Sequence, residues 1–380
     1  MRSVTALVFA VFLSAQPALA DYKADYKSYL AALEAGDLAA AGEAGERAWR
    51  AAETELGDHK TTAILAFNFA NTVAAQNPAK AIEAYERALA LVDRGVSDLS
   101  QGEVEIALLG SRFDRDPSAS AARALREALD RYRTAGEPAT DRTVAGWRRL
   151  ALSELGGRSR NPTLDEVDGY LGEAERMAPP DKRRLAEAQV VAGVGRIAGA
   201  KRSDRDIAEA VVLFDRAIAQ FPPQAGIDSF DPLLATALAW RGSVKSLISS
   251  SGSDPFFKTG SRIAVTDDLR KAYEEAEAGY DLNGEASFFA GSPAACAVEW
   301  AERKPPPYPR GAVIRSSVGT VLIGYDLDET GVDRAVLLAD LYGTGFGEAA
   351  IKAMDAWRLA RPVEPACRKN RLTFFNFILG

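Results

Sequence analysis

Three observations predict a mostly α chain that ends in a small α+β unit. Alanine-rich amphipathic segments recur from residue 24 to about 280, and the helical period fails across 281–306. From Thr320 onward, apolar residues begin to alternate in twos. The body therefore reads as an α-solenoid of helix pairs, since stacked pairs bury a continuous core only against neighbours. The end reads as ββαβ, with two strands before one helix and a third strand after it.

Six helix pairs are expected: 23–35 with 37–55, 61–75 with 78–93, 102–112 with 118–134, 141–155 with 164–177, 182–200 with 204–220, and 231–249 with 263–280. Apolar residues recur at three and four along each, as a packed helix face requires. The second helices share a small-x3-large-x2-Ala pattern. It runs through Ala44/Ala48/Ala51, Ala81/Tyr85/Ala88, Ala121/Leu125/Ala128, Val167/Leu171/Ala174 and Ala210/Phe214/Ala217. Pro179 and Pro222 follow two of the copies, where a helix must stop. This pattern resembles the tetratricopeptide repeat, whose small residues let neighbouring helices approach closely. The copies start 37, 40, 46 and 43 residues apart, longer than the repeat's usual 34. Ser249 to Asp254 reads as an extended loop inside the last pair.

Beyond a connector at 281–306, the second domain is expected at 307–380, following the body at 21–280. In the strand at Thr320–Leu327, Val321, Ile323, Tyr325 and Leu327 share a face. Asp328-Glu-Thr-Gly331 is a turn, and Val332–Leu341 closes the hairpin. A helix carries Ala349, Ala350, Ala353, Met354 and Trp357 on its apolar side, and Asn370–Leu379 returns as the third strand. Tyr308-Pro309, Gly319-x-Val321, Asp328-x-x-Gly331, Phe346-x2-Ala349-Ala350, Ala353, Trp357-Arg358 and Pro362 together resemble the C-terminal domain of the TonB family. The match covers about a fifth of the chain, and its step from Trp357 to Pro362 is one residue longer than the family's.

That resemblance implies a module that docks periplasmic partners, including plug-domain peptides of outer-membrane receptors that pair along a sheet edge. It implies Tyr308, Pro309, Leu372, Phe374, Asn376 and Ile378 as partner-binding residues. A competing reading makes Tyr308 a packed anchor and the phenylalanines of the third strand plain core.

Residues 1–20 read as a cleavable secretory signal, with Arg2, an apolar stretch from Val4 to Leu13, and Ala18-Leu-Ala20 as the cleavage site. The mature chain is then expected in the periplasm, with no stable membrane anchor. In that oxidising compartment the two cysteines, Cys296 and Cys367, are expected to form a disulfide. A net charge of −7 and a pI near 5.2 argue against nucleic acid as a partner.

No catalytic, metal or cofactor site is expected. Asp326-x-Asp328-x-Thr330-Gly331 has Leu337 where a calcium loop needs glutamate. Gly343 to Gly347 lacks the lysine of a phosphate loop, and the single histidine, His59, has no nucleophile pattern beside it. These readings converge on a non-enzymatic periplasmic adaptor that binds envelope proteins or peptides through a helical-repeat groove and the C-terminal module. The alternatives are an accessory of TonB-dependent outer-membrane transport and a structural protein that forms homo-oligomers through its edge strand.

Overall fold

The computed structural model describes residues 21–156, 164–198, 204–249, 271, 288–290, 296–314, 319–341 and 345–377. The expected signal at 1–20, the loop after Ser249 and the helix at 263–280 (Lys271 apart) lie outside the described residues. The described chain is mostly helical, with a small antiparallel sheet region near its C-terminus. It divides into two compact units, Met1–Gly136 and Glu137–Gly380.

In the first unit, α1 (Tyr22–Glu34), α2 (Leu38–Leu56), α3 (Lys60–Val73), α4 (Pro78–Asp93), α5 (Gln101–Arg115) and α6 (Ala119–Thr134) each pack on the next. The helix starts are set by side-chain caps. Asp37, Asn77, Ser100 and Ser118 accept from the backbone N–H groups of Ala40, Lys80, Glu103 and Ala121, each cap being worth about 1 kcal/mol. Gly36 and Gly95 end helices at φ of 71° and 70°, which glycine adopts without strain. Ala48, Ala52, Ala66, Ala70, Ala81 and Ala88 are buried around Trp49, Phe69 and Tyr85, and Trp49 stacks on Phe69 with centroids 5.6 Å apart. Small side chains let the helix backbones close in, while the aromatics fill what remains. Arg50–Glu83, Lys80–Glu46 and Arg87–Glu53 tie α2 to α4 at the surface; such exposed pairs contribute about 0–1 kcal/mol each.

The second unit begins with α7 (Asp141–Gly156), α8 (Asp165–Glu175), α9 (Lys182–Ala198), α10 (Asp204–Ala219) and α11 (Pro232–Ser249), again packed in succession. Ala210, Phe214 and Ala217 of α10 are all buried, as the repeat pattern expects. In α8 the large slot expected at Leu171 is filled instead by the neighbouring Tyr170, which is fully buried.

The three-stranded sheet has β2 (Gly319–Leu327) at its centre, flanked antiparallel by β3 (Val332–Asp340) and β5 (Arg371–Phe377). A second, two-stranded piece pairs β1 (Trp300–Glu302) with β4 (Arg358–Leu359), and neither strand is visible in the sequence pattern. Helix α12 (Arg310–Ile314) precedes β2, and α13 (Phe346–Met354) follows β3. The hairpin turn is held by Asp328, whose Oδ1 accepts from Thr330 N–H, Thr330 Oγ1 and Gly331 N–H. Those hydrogen bonds, led by the backbone N–H of Thr330, hold its carboxyl below the usual range. The third strand starts later than expected because Asn370 sits at φ 57°. From there its Oδ1 accepts from Ile227 N–H.

All nine residues of β2 are buried. Val321, Ile323, Tyr325 and Leu327 share a core with Phe346, Ala350, Met354, Trp357 and Phe377. Leu322 on the opposite face joins Leu372 in another core, with Phe214 of α10, Leu234 and Leu238 of α11, and Ile227. Gly324 admits Ile227, since a Cβ there would stand 2.7 Å from its Cγ2. The sheet therefore shares a compact unit with α7–α11, the chain dividing at 136/137. The physical reason is the second apolar face of the strand, which Val321-Leu-Ile323 hides behind a simple alternation.

Inside this unit, Arg241 of α11 is fully buried and its Nε donates to Asp215 Oδ1 of α10. Burial pushes the Asp215 carboxyl up to about 6, against the opposing pull of Arg241.

Two outcomes are expected. Gly331→Ala would set a Cβ 2.3 Å from the Trp357 carbonyl oxygen, a backbone atom that cannot swing aside. It should cost about 1–3 kcal/mol in chemical or thermal unfolding. Asp215, with a folded pKa raised from 3.8 to about 6, contributes most at low pH and less as pH rises through that window. The stability difference between wild type and Asp215→Asn, from urea midpoints at successive pH values, should therefore shrink from pH 4 to pH 6.

Candidate docking surface

The residues expected to meet a partner are divided between the two faces of the sheet: Tyr308 packs on the Phe346 face, whereas Leu372 and Phe374 pack on the α11 face. Tyr308 lies edge-on to Phe346 and Phe377, at centroid distances of 5.5 and 5.8 Å, and those two rings stack 4.4 Å apart. Burial raises its phenol pKa. Tyr308 is a packed anchor. Pro309 is half-buried, and its carbonyl accepts from Ala312 N–H at 2.9 Å, opening α12.

Leu372 is buried in the core shared with the helices. Phe374 packs against α11 at Gly242, where a Cβ would come within 2.9 Å of the ring. Asn376 is exposed, and its Oδ1 accepts from Thr320 Oγ1 at 2.8 Å. Ile378 lies outside the described residues. Leu372 and Phe374 thus spend their side chains on the fold; Leu372 is covered as a whole residue, and the accessible part of the edge lies at Phe374 and Asn376.

The direction of that backbone follows from two bonds. Thr320 C=O accepts from Leu341 N–H, on the β3 side, and Leu327 N–H donates to Arg368 C=O, on the β5 side. Along β2, even-numbered residues therefore bond toward β3 and odd-numbered ones toward β5. The β2–β5 register runs unbroken from Gly319↔Phe377 to Tyr325↔Arg371. Arg371, Thr373, Phe375 and Phe377 consequently face β2, and the N–H and C=O groups of Leu372, Phe374 and Asn376 point away from the sheet. Among the described residues, no strand pairs with this outer edge.

The opposite edge is built differently. β3 shifts register against β2 twice, between Leu322 and Ile323 and between Asp326 and Leu327. Such bulges bend and twist an edge away from further pairing. An ion pair from Arg334 to Asp228 also holds β3 to the 3₁₀ turn at Ile227–Ser229. Of the two edges, β5 is the regular one.

A strap at 296–309 runs beside β5. Cys296 is bonded to Cys367, and Arg371 donates to both cysteine carbonyls, from Nη1 to Cys367 at 2.9 Å and from Nη2 to Cys296 at 3.2 Å. Trp300 meets Trp357 edge-on at 5.0 Å, and the Trp357 Nε1–H donates to Lys304 C=O at 3.0 Å. Arg303 lies over the Trp357 ring, 4.6 Å from its centroid, and its Nη2 donates to Thr373 Oγ1 at 3.3 Å. The sequence reading missed Arg303, Trp357 and Arg371 as parts of this surface. The only hint was Arg303-Lys304 standing directly before the proline run.

Chemically, the surface offers hydrogen-bonding backbone beside a cation. Among the described residues, no group of three or more His, Cys, Asp or Glu could hold a metal ion, and no helix is long and apolar enough to cross a membrane. No protein-family model matches this chain, and no curated protein matches it.

Because the disulfide fastens the strap to the turn before β5, the double variant Cys296→Ser/Cys367→Ser should lose about 2–5 kcal/mol. Urea unfolding of the oxidised wild type against the variant reads this directly. Alkylation of denatured, unreduced wild type should label neither cysteine.

Proposed function

We propose that this chain is a non-enzymatic adaptor of the periplasm that takes an extended segment of an envelope protein onto the outer edge of β5. The observation that carries the reading is the contrast between the sheet's two edges: β5 keeps an unbroken register while β3 is bulged twice. An added strand would satisfy the outward groups of Phe374 and Asn376, the recognition mode called β-augmentation. The TonB-like order of motifs in the sequence supports the same mode.

The compartment rests on the leader-like pattern at 1–20 and on the bonded cysteines, since disulfides persist in oxidising compartments. The succession of packed helix pairs within each unit supports a tetratricopeptide-like body with its own binding face. The reading of an accessory to TonB-dependent transport shares this surface and differs in who docks there. The oligomer reading places β5 of a second copy on the same edge.

A photo-reactive residue at position 376, introduced in cells, separates these readings. Adducts with other envelope proteins support the adaptor, and adducts with this chain alone support the oligomer. Asn376→Pro removes an outward N–H at an exposed position, where proline is tolerated on an edge strand. This variant also removes the acceptor of the buried Thr320 hydroxyl, so it should fold with a stability about 1–3 kcal/mol below wild type, and it should lose adducts formed from a photo-reactive residue at position 304. Full adduct yield from Asn376→Pro would sink the edge-docking proposal.

A further inference from the structure

We propose that Arg303 selects, on the segment docked at β5, an aspartate or glutamate at the position paired with Thr373. This rests on the edge-docking reading and adds the chemistry of its ligand. Arg303 is exposed, and among the described residues no carboxylate pairs with it. Its neighbours are an aromatic face and a hydroxyl, neither of which neutralises the charge. The adjacent Lys304 is different, since it pairs with Glu302.

The position of Arg303 follows from the sheet. Thr373 is paired with Ile323, whose side chain belongs to the face covered by Trp357 and α13. Thr373 therefore lies on that face, and the residue of an added strand directly opposite Thr373 projects to the same face. That side chain arrives beside the guanidinium already bonded to Thr373 Oγ1 and held over Trp357. Stacking on the indole limits the rotamers of Arg303, so a fork of donors waits in one place. A carboxylate there gains charge-assisted hydrogen bonds, whereas a lysine or arginine meets like charge.

The test selects nine-residue peptides from a random displayed library on the purified full chain, using wild type, Arg303→Gln and Asn376→Pro. Wild type should enrich peptides that share Asp or Glu at one position within an otherwise strand-forming sequence. Arg303→Gln should enrich strand-forming peptides without that acidic position, and Asn376→Pro should enrich none. For a selected peptide made synthetically, Asp→Asn should weaken binding to wild type by about fivefold at low salt and leave binding to Arg303→Gln unchanged. Thermal unfolding of Arg303→Gln near the wild-type midpoint shows that the loss is one of recognition.

Strand-forming peptides selected by wild type with no acidic preference would overturn the role of Arg303 and leave edge docking standing. Peptides selected equally by Asn376→Pro, or no selection by any form, would overturn both.

Discussion

Burial of β2 on both of its faces is the constraint on which the rest of the second unit depends. A central strand with one wet face would show apolar residues at every second position, and its sheet could swing free of the helices. Here Val321, Ile323 and Tyr325 close one core with α13 and Trp357, while Leu322 and the bare backbone at Gly324 close another with α10, α11 and Ile227. Each buried aliphatic side chain contributes about 1.5–3 kcal/mol of transfer free energy. Separating the sheet from the helices would expose Leu322, Leu372 and Ile227 together. The sheet and α7–α11 thus belong to one compact unit, and the buried Asp215–Arg241 pair is a charged element within it.

Once both faces of β2 are committed, an added strand can join the sheet only along its edges. Bulges and the Arg334–Asp228 contact take β3 out of regular pairing. The β5 edge keeps its regularity because Asn370 turns the chain sharply just before it, with its own N–H fixed by Asp326 Oδ1 at 2.9 Å. Arg371 then binds the two carbonyls flanking the disulfide, so the strap and the edge strand are held by one side chain. The disulfide is therefore also a positional constraint: it fixes where the strap begins and, through Trp357, where Arg303 ends up.

Much of the local structure was legible in the sequence. The helices from 22 to 249, the Asp328–Gly331 turn and the order of two strands, helix and strand follow from period, caps and turn chemistry, all of which act over a few residues. Three things were not legible, and each depends on contacts distant in sequence. The burial of Leu322 and Leu372 against α10 and α11 needs the fold itself, because an apolar run reads the same whether one face or two are covered. Strands β1 and β4 are three and two residues long, too short for any period, and exist only because they meet. Arg303 carries no local sign of its place, since its meaning comes from Trp357 and Thr373, fifty and more residues away. On the candidate surface, Leu372, Phe374 and Asn376 occupy alternate positions whose backbones face outward while two of the three side chains face in, an arrangement that the apolar pattern of the strand does not reveal.

That inversion bears on specificity. Backbone hydrogen bonds along an edge are nearly blind to sequence, so an edge strand alone binds any compatible extended chain and invites unwanted pairing. With Leu372 and Phe374 turned into the fold, the edge has few side chains of its own with which to discriminate. Discrimination must come from the rims beside it. On the rim toward Trp357 the described structure places the Arg303 guanidinium over an indole, the group that the proposed docking would use to favour one charge over the other. A chain with net charge −7 repels acidic segments at long range, so under the proposed docking a local cation at the edge would decide which acidic segment settles there. In the proposed docking, selectivity would belong to the strap and affinity to the strand.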